Sequence, residues 1–184
     1  LFLRITGRRA DGYHELQTLF RLLDWGDTVF LRPRQDRLIA RVGAGAEGVQ
    51  EADDLLIRAA KNLQKDANCM QGADIGIEKR IPMGGGFGGG SSEAATVLVA
   101  LDLLWGLGLG SERLAEIGLG LGADVPVFVF GQSAYATGVG ERLRALRLPP
   151  RWYVVAAPAI SIATAGVFAA PELTRSTASA KIDV

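Results

Sequence analysis

The 184-residue sequence predicts an α+β domain. Three observations carry this expectation. Apolar segments of strand character lead the chain, helical patterns fill its middle, and short strand patterns return after them. The first strand segments have no helical pattern between them, so regular βαβ winding is not expected. The most glycine-rich stretch, PMGGGFGGG from Pro82 to Gly90, opens directly into the strongest helical pattern.

Each element has its own signal. Leu1–Thr6 (LFLRIT) reads as a strand and Gly7–Gly12 (GRRADG) as a polar turn. Leu16–Leu23 is apolar and fits strand or helix. Thr28–Arg32 and Leu38–Val42 read as strands on either side of a polar turn at Pro33–Arg37. Asp53–Gln64 repeats Leu56, Ala59, Ala60 and Leu63 at helical spacing, with Asp53 or Asp54 near its start. Ala73–Lys79 reads as a strand with Ile75 and Ile77 inward. Ala94, Ala95, Leu98, Leu101 and Trp105 form one stripe and predict a helix over Ser91–Trp105, capped by Ser91 or Ser92. A second helix is expected over Ser111–Leu119, with Ser111 as N-cap and Glu112 in the first turn. Asp124–Phe130 contains VPVFVF, which reads as a buried strand. Tyr135–Thr137 and Arg142–Leu146 are short strands. Pro149-Pro150 marks a boundary, dividing residues 1–150 from 151–184. Beyond it Trp152–Ala157 reads as a strand and Thr164–Ala169 as a short helix.

Composition narrows the function. Twenty basic and twenty acidic residues balance, so nothing favours a nucleic-acid or anionic-membrane partner. One cysteine, Cys69, leaves no internal disulfide and no zinc cluster to build, and a single histidine, His14, counts against Ser-His-Asp chemistry and multi-His metal sites. No apolar run reaches transmembrane length. A cytoplasmic protein is expected. The abrupt start at Leu-Phe-Leu and the end at Lys-Ile-Asp-Val read as a piece of a longer chain.

The glycine loop raises a physical question, because each ordered glycine loses more backbone freedom than any other residue. A glycine-rich loop entering a helix exposes successive N–H groups with no side chain in the way. The helix start adds unpaired N–H groups and partial positive charge. Together these bind phosphate. Ser91 or Ser92 could also reach a phosphate oxygen or Mg²⁺. The competing reading is a long turn before an ordinary helix. The loop lacks the G-x-x-x-x-G-K-[ST] of a Walker A motif. It contains G-x-G-x-x-G at Gly84, Gly86 and Gly89, yet no acidic residue stands at the ribose position of a Rossmann unit.

A second candidate is the carboxylate in Leu121-Gly-Ala-Asp124-Val-Pro126-Val-Phe. Pro126 pushes the residue before it toward extended geometry. Burial raises the pKa of Asp124 unless a cation or N–H donors oppose it. A base must stay ionised, so a nearby Lys would help. The competing reading is a turn Asp that satisfies backbone groups.

The segment Pro82-Met-Gly-Gly-Gly-Phe-Gly-Gly-Gly-Ser91-Ser92-Glu-Ala-Ala resembles the P-x-x-x-G-L-G-S-S-A phosphate loop of the GHMP kinases, with Phe87 where Leu is usual. The doubled triple glycine resembles one branch, the kinases of diphosphocytidyl-methylerythritol. Three further segments resemble that branch: Gly122-Ala-Asp124-Val-Pro126-Val-Phe; Asp11-Gly12-Tyr13-His14-Glu-Leu; and Ser161-Ile-Ala-Thr164-Ala-Gly-Val-Phe168. In the last, Ala163 and Ala165 replace two prolines. The resemblance runs from Leu1 to about Ile182.

The resemblance implies a first domain of the ribosomal protein S5 domain 2-like α+β fold, followed by the start of a ferredoxin-like second domain. It implies ATP-dependent phosphorylation of the 2-hydroxyl of 4-diphosphocytidyl-2-C-methyl-erythritol, in non-mevalonate isoprenoid synthesis, with Mg²⁺. It assigns the triphosphate to Pro82, Met83, Gly84, Gly85, Gly86, Gly88, Gly89, Gly90, Ser91 and Ser92, and places Lys79 near the nucleotide base. Asp124 inherits the role of catalytic base. Tyr13, His14, Thr164 and Phe168 recognise cytidine, with Tyr13 and Phe168 on the two faces of the ring. For Tyr13 and His14 the competing readings are a turn aromatic covering core and a turn or surface histidine. The expected partner is a small-molecule substrate, with no nucleic acid and no membrane, for a monomer or homodimer. The branch carries a P-A-K-x-N segment, whose Lys pairs with the catalytic Asp, immediately before the position of Leu1, and a third glycine motif in its C-terminal half. The 184 residues alone are therefore expected not to catalyse. Asp54-Leu55 stands where the family often has Asn-Leu near adenine. Another GHMP kinase of mevalonate or homoserine type, a non-catalytic nucleotide-binding module and an S5-like RNA-binding domain are the alternatives.

Overall fold

The computed structural model describes residues 2–43, 50, 52–157 and 164–180. Two sheets and a helical layer form it. The first sheet runs β1-β2-β6-β7, from β1 (Phe2–Arg8), β2 (His14–Phe20), β6 (Ala134–Thr137) and β7 (Arg142–Ala145), all antiparallel. The second is β3-β5-β4, from β3 (Thr28–Arg34), β5 (Gly72–Glu78) and β4 (Ile39–Arg41). β4 and β5 are parallel and joined by α1 (Leu55–Asp66), the crossover such a pair requires. The remaining helices are α2 (Gly89–Leu104), α3 (Gly110–Leu119), α4 (Val125–Phe130) and α5 (Thr164–Ala169).

The core lies between the second sheet and α1 to α4. Every residue from Gly72 to Ile77 is buried, because β5 is the middle strand of three and is covered. Asp74 is tolerated there because Arg32 and Arg34 of the neighbouring strand both bond its carboxylate. The stripe read on α2 is the buried one: Ala94, Ala95, Leu98, Leu101 and Trp105 all pack inward. Trp105 Nε1–H donates to the Gly72 carbonyl at 3.1 Å and ties the end of α2 to β5.

Several expectations change. The strand from Phe2 runs to Arg8, so the first turn is shorter than Gly7–Gly12. Pro33 lies inside β3, where it pairs opposite Ala73. VPVFVF is helix α4, not a strand. Its six apolar residues carry no period that separates the two forms. Pro126 lies in the first turn, where its missing N–H would have had no intrahelical partner. Packing of Val125, Val127 and Val129 against the core overrides the extended preference of the residue before proline. Helix α2 starts two residues before Ser91, and α3 starts at Gly110, so Ser111 is not its cap. Trp152–Ala157 forms no strand; Trp152 and Val154 are fully exposed. After α5 the chain returns to the first sheet, where Thr177 N–H donates to the Ile5 carbonyl at 2.9 Å.

Candidate active site

The glycine loop becomes a cradle through alternation. Gly84, Gly86 and Gly88 have φ of 72°, 71° and 74°. Left-handed residues at every second position turn successive N–H groups toward a common side. Gly88 is also the N-cap of α2 and offers no side-chain bond. A serine at the cap is therefore corrected: Ser92 N–H already donates to the Gly88 carbonyl, so both serines lie within the first turn. Ser92 Oγ donates to the Gly89 carbonyl at 2.8 Å, which leaves Ser91 as the hydroxyl lining the cradle. The loop, Lys79, Leu55, Ile77 and Arg41 bound a cavity of about 320 Å³, within the range of small-molecule sites.

A charged network holds the loop at both ends. Asp27 lies in the link between β2 and β3, and so between the two sheets. Its Oδ1 accepts the N–H groups of Arg80 and Ile81, at 2.6 and 2.8 Å, just before the loop. Its Oδ2 accepts Lys79 Nζ at 2.9 Å, and Lys79 also donates to Glu93 in α2, just after the loop. Burial acts to raise the Asp27 pKa, but the donors from Ile81, Lys79 and Arg80 overcome it and hold the group at about 2. Burial pushes Glu93 up, against the pull of Lys79. Lys79 is raised because its two carboxylates outweigh its own burial. Lys79 Nζ stands 3.4 Å from where a β-carbon on Gly89 would lie, so it faces the start of α2.

A second cavity, of about 700 Å³, is lined by Tyr13, His14, Asp124, Phe168 and Gly86. Tyr13 is presented by a tight turn. Gly12 has φ of 90°, and Asp11 Oδ1 accepts the Tyr13 N–H at 3.1 Å, so a side chain 61% exposed is held in place from below. His14 begins β2, and its ring lies 5.2 Å from Phe168. His14 Nε2 is buried and has no hydrogen-bond partner among the described residues. Thr164 begins α5, while its side chain and residues 161–163 lie outside the described part.

Asp124 stands at the head of α4 without capping it. Its position depends on a close approach of α3. A β-carbon on Gly118 would sit 2.7 Å from Val125 Cγ1, so only glycine lets the two helices meet there. The carboxylate is open to the cavity, yet the packed protein around it raises its pKa. A carboxylate set this way, beside the glycine loop, can take a proton from a hydroxyl or orient it. Gly86 borders both cavities, so the cradle and the carboxylate share a wall that carries no side chain.

The structure thus brings the glycine loop, Ser91 and Lys79 around one chamber, and Tyr13, His14, Asp124 and Phe168 around the next. Sequence reading missed Asp27, Glu93 and Arg41. The Glu following Ser91-Ser92 was a signal for Glu93, since it sits one turn into the helix that the loop feeds. Neither Asp27 nor Arg41 has any local pattern. Among the described residues no group of three His, Cys, Asp or Glu is placed to hold a metal, and no helix is long and apolar enough to cross a membrane.

The model of the GHMP kinases N terminal domain matches residues 54–132. The 4-diphosphocytidyl-2-C-methyl-D-erythritol kinase of Xanthomonas euvesicatoria pv. vesicatoria is 61% identical over 182 residues, covering 99% of this chain and 62% of the relative. The kinase of the same name from Aromatoleum aromaticum is 56% identical, over 99% of this chain and 64% of its own. A crystal structure of 4-(cytidine 5'-diphospho)-2C-methyl-D-erythritol kinase superposes with a TM-score of 0.73 at 38% identity, covering 92% of this chain and 61% of that one. Homoserine kinase from Cytophaga hutchinsonii, at 17% identity and a TM-score of 0.57 over 85% of this chain and 52% of that one, shares the fold. The chain spans 62% of the length of the first of these relatives.

Proposed function

The chain belongs to the GHMP kinases, and from that premise we propose that it is part of an ATP-dependent kinase that phosphorylates the 2-hydroxyl of 4-diphosphocytidyl-2-C-methyl-D-erythritol, a step of non-mevalonate isoprenoid synthesis. The observation that carries this reading is the shared wall at Gly86. A cradle of amides for a polyphosphate and a cavity with two aromatics and a carboxylate meet there. The protein is read as cytoplasmic, acting on a small molecule without nucleic-acid or membrane partners. The residues beyond Pro149-Pro150 are read as the start of a second domain.

On this reading the loop amides from Gly84 to Ser91 hold the phosphate chain, and the start of α2 adds its partial positive charge. Bound ATP supplies the phosphoryl group, and Mg²⁺ neutralises charge on its oxygens. The donor set suits a magnesium ion held largely by phosphate and water, since Ser91 offers one hydroxyl and Lys79 already occupies Glu93. Tyr13 and Phe168 bracket the cytosine ring, and His14, whose ring lies against Phe168, stands at its edge. Asp124 accepts or orients the proton of the acceptor hydroxyl. Most of the rate then comes from positioning and charge neutralisation.

The test is phosphoryl transfer from ATP by the full-length protein, with the cytidine substrate, mevalonate and homoserine compared. Turnover of the cytidine substrate is expected. Tyr13→Ala is expected to raise its KM about tenfold or more, with the KM for ATP unchanged, as a lost stacking platform requires. Turnover of mevalonate or homoserine alone would move the protein to another branch. Binding of ATP without turnover of any of the three would make it a nucleotide-binding module.

A further inference from the structure

Phe168 forms part of the wall of the second cavity, and an arginine that does not line that cavity holds it there. Helix α5 has six residues, too few to persist without outside support, and the last four carbonyls of a helix have no intrahelical partner. Arg175 gathers these loose ends. Its Nη2 donates to the Phe168 carbonyl at 3.0 Å and to the Ala170 carbonyl at 2.7 Å, and its Nη1 donates to the Leu173 carbonyl at 3.2 Å. Every side-chain bond that Arg175 makes among the described residues goes to a main-chain carbonyl. A cation there also offsets the partial negative charge at the end of the helix.

The segment that carries Arg175 is pinned to the first sheet. Thr177 N–H donates to the Ile5 carbonyl of β1 at 2.9 Å. Gln17 of β2 holds Ala180 by both its main-chain groups: Oε1 accepts the Ala180 N–H at 2.7 Å, and Nε2 donates to the Ala180 carbonyl at 3.4 Å. The same strand begins at His14, whose ring lies 5.2 Å from Phe168. Phe168 is thus tied to one sheet by two routes, through its ring to His14 and through its carbonyl to Arg175. An aromatic pair is satisfied over about 4.5–7 Å of centroid separation, so the ring contact alone leaves play. The guanidinium fork removes it, because its donors are fixed in one plane.

We propose that Arg175 is a positioning residue for the substrate: by gathering the carbonyls at the end of α5 it sets where Phe168 stands over the cavity, and so sets the affinity for the cytidine end. This rests on the reading that Tyr13 and Phe168 bracket cytosine. Arg175 acts through Phe168 and touches neither the phosphate loop nor Asp124, so its loss weakens binding of one substrate and leaves the chemical step alone.

The experiment is steady-state kinetics of the full-length protein with ATP and the cytidine substrate. Wild type is compared with Arg175→Gln, Arg175→Lys, Phe168→Ala and the double variant Arg175→Gln with Phe168→Ala. A thermal melt checks folding, and Arg175→Lys carries the comparison if Arg175→Gln does not fold. Arg175→Gln is expected to raise the KM for the cytidine substrate about tenfold, with kcat and the KM for ATP changed less than about twofold. Arg175→Lys, which keeps the charge without the planar fork, is expected to raise it by less. In the Phe168→Ala background the arginine change is expected to add almost nothing, since the ring it positions is gone. The proposal is overturned if the KM for the cytidine substrate does not move. It is also overturned if kcat and the KM for ATP deteriorate in parallel, as for a merely structural arginine, or if the two changes multiply in the double variant. A Phe168→Ala variant with an unchanged KM for the cytidine substrate would instead overturn the cytosine bracket, and the proposal with it.

Discussion

The two chambers are built in opposite ways. The first is made mostly of main chain from one contiguous stretch, residues 82 to 91, tethered at each end by the ion-paired group of Asp27, Lys79 and Glu93. The second is made of side chains from segments far apart in sequence: the turn at Asp11–His14, Asp124 at the head of α4, and Phe168 in α5. A site of amides tolerates changes in what surrounds it but not a β-carbon in the wrong conformation. A site of side chains loses one function for each residue removed.

The sharpest way to test that contrast is Asp124→Asn. Phosphoryl transfer is expected to fall by about 10² to 10⁴, with ATP affinity unchanged. The same variant is expected to melt higher at neutral pH. The raised pKa means that Asp124 contributes most to stability below its unfolded value near 3.8, and that this contribution is lost as pH rises through its folded pKa. Asparagine removes the charge that causes the loss. The wild-type rate should rise with pH through that same folded pKa, as carboxylate replaces acid. Loss of ATP binding in this variant would show that the two chambers are not separable.

Next in size is Gly88→Ala. Its β-carbon would meet Phe128 Cζ at 2.9 Å, and φ of 74° is strained for alanine. The strain is worth about 1–2 kcal/mol, so ATP affinity is expected to fall tenfold or more by titration calorimetry, with affinity for the acceptor substrate retained. Gly86→Ala, whose β-carbon meets nothing within 4 Å, separates strain from clash.

The smallest effect belongs to the tether. Asp27 titrates at about 2 instead of 3.8, so its contribution is present above the unfolded value and fades as pH falls from about 4 toward 2. Asp27→Asn is expected to cost about 1–2 kcal/mol at pH 6 in urea unfolding and to flatten the acid limb of the stability curve. An unchanged acid limb would mean that the tether holds nothing.

The sequence was most readable where the physics is local. The loop, the buried stripe of α2 and the Asp54 cap of α1 all declare themselves within a few residues. Asp124 and Tyr13 were found through segments whose meaning comes from resemblance, while their meeting across one cavity needed the fold. VPVFVF misled because a short, wholly apolar run has no face to reveal its period, and its helix is decided by packing on α2 and α3. The serine cap misled because a left-handed glycine had already begun the helix. Asp27 and Arg41 were silent, since each gains its significance from partners that lie 13 to 54 residues away.

Asp27 has a mechanical meaning as well. It sits on the seam between the two sheets, and the amides it grips lie at the threshold of the loop. The seam cannot part without unlatching that threshold. Whatever settles into the amide ribbon therefore stiffens the join between sheets that it never touches, and hydrogen exchange along that join would register its arrival.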